Sequence, residues 1–220
     1  MEALQLADPQ FVRTVQTVIE ILGTLAFAIS GIRHAAAKHL DWFGGFVCGF
    51  AVAIGGGTLR DVMLGQPPFW MTSPLYIICT IVAQVFVISC SKLLRPLDNA
   101  WFLFDTLGLA SFTITGIQKT LECGYPFWVA IIMGCITGAA GGVIRDVLLN
   151  KTPVVLRKEI YASASIFGGI LYWMLDALRT NVAVTVVIVF LFIVIVRILA
   201  VKYHISLPVL KSDEEPDGKD

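Results

Sequence analysis

Residues 55–61, GGGTLRD, and residues 140–146, AGGVIRD, decide how this chain is built. They lie 85 residues apart, and shifting the whole chain against itself by 85 residues gives further matches without a gap. Chance identities would be scattered, whereas these cluster on glycines and charged residues. The sequence therefore predicts an internal repeat, and its matched pairs include Leu22 with Leu107, Phe27 with Phe112, Gly31 with Gly116, Gly49 with Gly134, Pro68 with Pro153, Tyr76 with Tyr161 and, as two acids, Glu20 with Asp105.

The composition indicates a membrane protein. Of the 220 residues, 57% are apolar and 15% are charged, and the mean hydropathy is +0.81. Soluble proteins average roughly 45–50% apolar and about 25% charged residues. These values exclude a soluble enzyme or a disordered chain. Because 16 basic residues balance 16 acidic ones, the chain also has no basic excess with which to bind nucleic acid.

Seven stretches are long and apolar enough, or nearly so, to cross a bilayer as helices, for which about 20 residues are needed. A barrel strand would need only about 10 residues of alternating polarity, so an all-α polytopic fold is predicted. The predicted spans are residues 14–32, 42–59, 74–91, 100–117, 126–144, 160–178 and 182–201.

Three spans fall in each copy of the repeat, at residues 14–98 and 99–180. Because three is an odd number, the second copy enters the membrane from the opposite side, and the repeats are predicted to be inverted. Inverted repeats place a pseudo-two-fold axis in the membrane plane. The seventh span, within residues 181–203, has no counterpart, and we expect residues 1–13 to form a short leading segment and residues 204–220 a disordered polar tail.

Basic residues predict the orientation in a cell or inner membrane. With the amino terminus outside and the carboxyl terminus in the cytoplasm, 11 lysines and arginines fall on the cytoplasmic side and four outside. Cytoplasmic loops carry the excess of such residues, which favours this orientation. The chain begins without a basic region and a cleavage site, so we expect no cleaved signal peptide.

The glycines before each Arg-Asp pair point to a polar crossing in spans two and five. Each glycine lowers helix propensity by about 1 kcal/mol relative to alanine, so the backbone is expected to unwind there. Exposed carbonyl groups would then have to face protein or water. The alternative is that the glycines serve packing and the arginines anchor the span ends at the interface. The residues concerned are Gly55, Gly56, Gly57, Gly141 and Gly142, with Arg60, Asp61, Arg145 and Asp146.

Buried arginines require partners, because an arginine inside a membrane costs about 2.5–3.5 kcal/mol on insertion scales. Adjacent helical residues point in different directions, so each arginine could pair with Glu20 or Asp105 from another span instead of the aspartate beside it. These two acids could equally sit at the membrane interface near a helix start. Ser30 and Thr115 could add hydroxyl groups to a pathway, as could Thr113, although such residues often bond to their own preceding turn.

No motif predicts catalysis or a resident cofactor. The five cysteines have no metal-ligand spacing and are expected to be small buried hydrophobes. The histidines His34, His39 and His204 have no second ligand four residues on, so a metal site is not expected. Because nucleotide-binding loops and nucleophile–base arrangements are also missing, we expect neither an enzyme nor transport driven by nucleotide hydrolysis.

The duplicated Gly-Gly-x-x-Arg-Asp units, the 85-residue repeat and the seventh span together resemble the prokaryotic trimeric intracellular cation (TRIC) channels, whose domain is also called a glycine-transporter domain. The resemblance covers roughly residues 15–201. It implies a homotrimer among membrane lipids, in which each protomer has its own hydrated pore for potassium or sodium ions. It also implies kinks at the repeated glycines and a polar constriction at the two Arg-Asp pairs.

Three functions fit the sequence. The first is a passive channel for monovalent cations, for which the charge of any arginine in the pathway must be neutralised. The second is a secondary transporter of a small zwitterion such as glycine, in which half-helix amino termini would hold the carboxylate. The third is a membrane scaffold without a pathway, which leaves the repeated charges unexplained.

Overall fold

The computed structural model describes residues 9–90, 100–206 and 208, and these form seven α-helices. Each coincides with one predicted span. Two short 3-10 helices, Phe69–Met71 and Val154–Leu156, follow the second and fifth α-helices. The α-helices are α1 (Pro9–Ala37), α2 (Trp42–Met63), α3 (Leu75–Ser89), α4 (Ala100–Glu122), α5 (Phe127–Leu148), α6 (Ala162–Ala177) and α7 (Val182–Lys202).

The helices differ from the predicted spans in length. Helix α1 begins at Pro9, within the segment predicted to precede the first span, and α4 continues to Glu122, beyond the predicted end at residue 117. Apolar residues locate only the part of a helix inside the hydrocarbon, whereas helical hydrogen bonds continue through polar residues at either end. Residue 91, residue 207 and the tail from residue 209 lie outside the described residues.

Four of the described helices are long and apolar enough to cross a membrane, namely α1 from Gln10, α2, α5 and α7. Helix α3 is apolar but has only 15 residues, and α6 has 16. Helix α4 is long enough, but its face toward the protein is polar, with Asp105, Thr106 and Gln118 buried. A helix inside the bundle can carry such residues because neighbouring helices, rather than lipid, surround it.

The turns reproduce the 85-residue offset. A left-handed backbone conformation ends the turn after α1 at His39 (φ 59°), and it recurs after α4 at Gly124 (φ 83°). The same conformation follows α2 at Gly65 and α5 at Asn150. The two 3-10 helices also begin 85 residues apart. Helices α1–α3 and α4–α6 are therefore structural counterparts down to single residues.

Glycines let α2 and α5 pack closely where the two repeats meet. A Cβ atom on Gly56 would overlap the carbonyl oxygen of Thr137, and one on Gly141 would lie 2.6 Å from the carbonyl oxygen of Val52. Val52 and Thr137 are themselves repeat counterparts. Because both carbonyls belong to the opposite helix, each helix needs glycine at this crossing.

The expectation that the backbone unwinds at these glycines is wrong. Helix α2 is continuous through Gly55, Gly56 and Gly57, and α5 is continuous through Gly141 and Gly142. Close helix packing, which small residues permit in membranes, offsets the low helix propensity of glycine. The glycines therefore serve the packing that the alternative interpretation predicted.

Helices α1 and α4 cross through a pair of stacked rings. The centroids of Phe27 and Phe112 are 5.4 Å apart, and the rings are inclined by only 10°. Each ring covers a glycine of the opposite helix, Phe112 covering Gly23 and Phe27 covering Gly108. The two rings are 1% exposed, so the centre between the repeats is tightly packed.

Helix α7 packs against α4 and α6 and has no counterpart in the first repeat. Its buried side includes Val186, Val189 and Ile193, with Arg197 one turn further on. A Cβ atom on Gly168 of α6 would lie 2.6 Å from Ile193, so this contact is also close. The seventh helix thus makes the environments of the two repeats unequal.

Candidate functional site

The Arg-Asp unit of the second repeat lies inside the helix bundle. Arg145 is 2% exposed, and its Nε donates to Oδ1 of Asp146 at 3.0 Å. One terminal nitrogen forms an ion pair with Asp105 of α4 and also donates to Oγ of Ser30 of α1 at 3.0 Å. Oδ2 of Asp146 accepts from the backbone N–H of Val154 at 2.9 Å. Three helices and the following 3-10 turn therefore converge on one guanidinium group.

The unit of the first repeat repeats part of this arrangement. Arg60 is 1% exposed, and its Nε donates to Oδ1 of Asp61 at 2.8 Å. Oδ2 of Asp61 accepts from the backbone N–H of Phe69 at 2.8 Å, which corresponds to the hydrogen bond that Val154 donates to Asp146. The guanidinium carbon also lies 5.6 Å from the centroid of the Phe69 ring. In each repeat, the aspartate thus joins its arginine to the turn after the helix.

The acids of α1 and α4 behave differently. Asp105 pairs with Arg145 as the sequence allowed, but Glu20 accepts a 2.9 Å hydrogen bond from the hydroxyl group of Tyr76. Glu20 Oε1 and one terminal nitrogen of Arg60 are buried and have no hydrogen-bond partner among the described residues. Among the described residues, only the arginine of the second repeat therefore pairs with an acid on another helix.

Burial contradicts the alternative placement of these charges at the membrane interface. Arg60 and Arg145 are 1% and 2% exposed, and Glu20 and Asp105 are 7% and 4% exposed. Both arginines were counted as loop charges when the orientation was predicted, but they lie inside the helix bundle instead. The adjacent aspartates, which were one of the two sets of candidate partners, do pair with the arginines, because the long arginine side chain reaches back to its neighbour.

The three hydroxyl-bearing residues singled out in the sequence have different hydrogen-bond partners. Ser30 joins the Arg145 cluster by accepting its hydrogen bond. Its repeat counterpart Thr115 donates to the carbonyl oxygen of Phe112 at 3.3 Å, as expected for a threonine that bonds to its own preceding turn. Thr113 donates to the carbonyl oxygen of Leu109 at 2.7 Å and lies 2.9 Å from Oγ of Ser165. Of these three residues, only Ser30 contacts a charged group.

Two cavities flank the packed centre. Vestibule 1 has a volume of about 590 Å³, and its lining includes Glu20, Asp61, Tyr76, Lys119 and Glu122. Vestibule 2 has a volume of about 620 Å³, and its lining includes His34, Asp105, Arg145, Lys158 and Arg197.

The two vestibules open at opposite ends of the bundle. Asp105 is near the start of α4, whereas Lys119 is near its end. Fourteen residues of helix separate them, which corresponds to about 21 Å. The vestibules therefore approach each other along the bundle axis. The repeats meet at the glycine crossing of α2 and α5 and at the Phe27–Phe112 stack.

Two buried groups were not among the predicted site residues. Arg197 of α7 is 2% exposed, donates to the carbonyl oxygen of Ile160 at 2.7 Å and lies within 4.8 Å of the ring centroids of Phe102 and Tyr161. The sequence did indicate Arg197, because a charged residue within an apolar span is a functional candidate by default. Tyr76, which binds Glu20, was visible only as one of the repeated residues.

Within residues 9–90 and 100–206, no group of three histidines, cysteines or acids is placed to hold a metal ion. The acids of the candidate site bind arginines, a tyrosine hydroxyl group and backbone N–H groups instead.

Comparison with known proteins identifies the family. A family model described as "Glycine transporter" matches residues 17–92 and again residues 102–177. The chain belongs to this glycine transporter family. The two matches begin 85 residues apart, so the family unit is the repeat found in the sequence.

A curated relative in the glycine transporter family is the UPF0126 inner membrane protein YadS of Escherichia coli K12. It is 37% identical over 204 residues, which cover 89% of this chain and 96% of the relative. A UPF0126 membrane protein of Vibrio cholerae is 38% identical, with 87% and 81% of the two chains covered. These relatives are membrane proteins, as the composition of this chain predicted.

Solved structures connect the family to TRIC channels. The TRIC orthologue from Rhodobacter sphaeroides is 30% identical, with a TM-score of 0.82, and the match covers 87% of this chain and all of that one. The resemblance to prokaryotic TRIC channels is thereby confirmed. The predicted fold class is also confirmed, namely an all-α membrane protein with an inverted three-plus-three repeat and a seventh helix. The relatives are channels and membrane proteins rather than enzymes.

Proposed function

We propose that this protein is a homotrimeric channel for monovalent cations, with one pathway in each protomer. The observation that carries the proposal is the pair of vestibules, which approach from opposite ends toward repeated, buried Arg-Asp units on the fold of the TRIC channels. The trimer is proposed from the description of the R. sphaeroides relative as a trimeric intracellular cation channel.

The buried arginines are compatible with cation passage because carboxylates compensate them. Arg145 lies between Asp105 and Asp146, so its surroundings carry one more negative charge than positive charge. Arg60 is balanced by Asp61, and Glu20 beside them remains without a basic partner among the described residues. Opposite charges at contact distance cancel most of each other's field at longer range. At the two Arg-Asp units, a potassium or sodium ion would therefore not meet a net positive charge.

Conduction requires the packed centre to open. The pathway that we propose runs from vestibule 1 past Arg60 and Asp61, between the two repeats, and past Arg145 and Asp105 into vestibule 2. Gly56 and Gly141 would act as the points where α2 and α5 bend, with Gly55, Gly57 and Gly142 beside them. Glycine adopts a wider range of backbone angles than other residues, which supports this role.

The orientation that we propose places vestibule 1 outside and vestibule 2 in the cytoplasm. Lys151, Arg157 and Lys158, between α5 and α6, then lie on the cytoplasmic side together with Lys202 at the end of α7. This follows the excess of basic residues in cytoplasmic loops.

Recording from purified protein in planar bilayers tests the channel. With potassium chloride at unequal concentrations, discrete unitary currents should reverse near the equilibrium potential of potassium. Mixed potassium and sodium solutions would then give the preference between the two ions. Mass measurement of the protein in detergent should give three chains. A reversal potential at that of chloride, or saturable solute uptake into liposomes without unitary currents, would contradict the proposal.

The second candidate is a secondary transporter of a small zwitterion, and the description of the matched family model favours it. Helix α5 and its neighbours present an arginine and a carboxylate within one cluster, the two groups that a zwitterion would bind. Glycine should then raise the melting temperature of the purified protein, whereas N-acetylglycine, which lacks the ammonium group, should not. Equal melting in both solutions would exclude this candidate.

A further inference from the structure

The two vestibules carry opposite charge, although the repeats that form them are counterparts. Among the described residues that line vestibule 1, three are acidic, Glu20, Asp61 and Glu122, and Lys119 is basic. Arg60 behind the wall compensates Asp61, which leaves an excess of one acid. The described lining of vestibule 2 instead contains four basic residues and two acids, namely Arg145, Lys151, Lys158 and Arg197 against Asp105 and Glu159. Asp146 behind the wall compensates Arg145, which leaves an excess of one base.

The difference arises where the two copies have diverged. Ala37 lines vestibule 2, and its repeat counterpart Glu122 places an acid in vestibule 1. Gln66 lines vestibule 1, and its counterpart Lys151 places a base in vestibule 2. Arg197 comes from α7 and has no counterpart at all. Each of these differences increases the difference in charge between the two vestibules, whereas Lys119 of vestibule 1, the counterpart of His34 in vestibule 2, reduces it.

A buried carboxylate adds to the contrast. Glu20 lines vestibule 1, is 7% exposed, and its Oε1 accepts no hydrogen bond from any described residue. Asp105, its counterpart in vestibule 2, is engaged by Arg145. A cation that enters vestibule 1 therefore meets an acid that forms no ion pair with an arginine of the described residues, whereas one that enters vestibule 2 meets an ion pair.

We infer that this contrast makes the channel rectify, so that cations pass more readily from vestibule 1 to vestibule 2 than in the reverse direction. The inference rests on the proposed cation channel. Charge of one sign in a cleft raises the local concentration of the opposite ion and hence its rate of entry. Vestibule 1 concentrates cations, and vestibule 2 depletes them. In the proposed orientation, inward cation current is the larger one.

Single-channel recording in symmetric potassium chloride tests the inference. At equal and opposite voltages and about 0.1 M salt, the cation current that enters from vestibule 1 should exceed the reverse current about twofold. In about 1 M salt the ratio of the two currents should approach one, because the screening length falls from about 10 Å to about 3 Å. A ratio near one at low salt, or a ratio above one in the opposite direction, would overturn the inference while leaving the channel established. Absence of unitary currents would instead remove the proposed function.

Cys123 identifies vestibule 1 in the recording. It is an exposed, free cysteine that lines vestibule 1. A methanethiosulfonate reagent added to one chamber forms a mixed disulfide with it. A sulfonate reagent adds negative charge and should raise cation current from that side, and a trimethylammonium reagent should lower it. Cys123→Ser should abolish both effects. Equal effects of the two reagents would show that charge is not the cause.

Lys158 tests the other mouth. It is exposed and lines vestibule 2, so Lys158→Glu leaves the packed bundle intact. This variant should raise the current that enters from vestibule 2 and bring the ratio of the two currents toward one. Lys158→Arg keeps the positive charge at the same position and should preserve the ratio. The same ratio in Lys158→Glu and the parent protein would overturn the inference.

Discussion

The two Arg-Asp units have the same sequence pattern but different partners. Arg60 pairs with one aspartate, and the nearby Glu20 bonds to a tyrosine hydroxyl group. Arg145 pairs with two acids and binds Ser30 as well. The repeat therefore conserves the link between each helix and its following turn, whereas the contacts between helices differ from copy to copy.

Replacing each arginine by alanine should give the largest difference in stability between the two Arg-Asp units. Arg145→Ala leaves Asp105 and Asp146 buried without their basic partner and should lower the free energy of unfolding by about 3–5 kcal/mol. Arg60→Ala removes one ion pair, so a smaller loss is expected. Thermal unfolding in the same detergent measures both, and Arg157→Ala, at an exposed residue, serves as control. Equal losses in the two variants would show that the second acid contributes nothing.

Adding a methyl group at the helix crossing should test the symmetry of the packing. Gly56→Ala and Gly141→Ala place Cβ against the carbonyl oxygen of the opposite helix and should each cost about 1–3 kcal/mol, with the greater loss at Gly56, where the overlap is larger. Gly55→Ala meets only the end of the flexible Ile144 side chain, and the second repeat already has alanine there. Unfolding of all three variants decides this. A loss at Gly55 as large as at Gly56 would contradict the crossing.

The two repeated tyrosines should differ sharply from each other in their contribution to stability. Tyr76 donates to Glu20, so Tyr76→Phe should cost about 1.5–3 kcal/mol, as expected for a hydrogen bond to a charged group. The Tyr161 hydroxyl group has no hydrogen-bond partner among the described residues, so Tyr161→Phe should change stability by less than about 1 kcal/mol. Unfolding measurements on the two variants compare them directly. The reverse order would exclude Glu20 as the partner that matters.

Most of the architecture was predictable, because apolar length and an ungapped repeat report directly on helices and their inversion. The burial of Arg60 and Arg145 was harder to predict, because apolar flanking residues alone do not distinguish the membrane interface from the interior of the helix bundle. Unwinding at Gly55–Gly57 was predicted wrongly because propensity describes an isolated helix, whereas the crossing with Thr137 is a tertiary contact. The partner of Glu20 could not be predicted, because it depends on how far one side chain reaches across the bundle.

Helix α7 has a consequence for how the molecule is inserted. Two antiparallel copies alone would be nearly interchangeable, and turning such a unit over would present almost the same face to either compartment. Arg197 fixes the end of α7 to the carbonyl oxygen of Ile160 and to the rings of Phe102 and Tyr161, all at one end of the bundle. The seventh helix therefore gives a near-palindromic protein a top and a bottom, which any vectorial function requires.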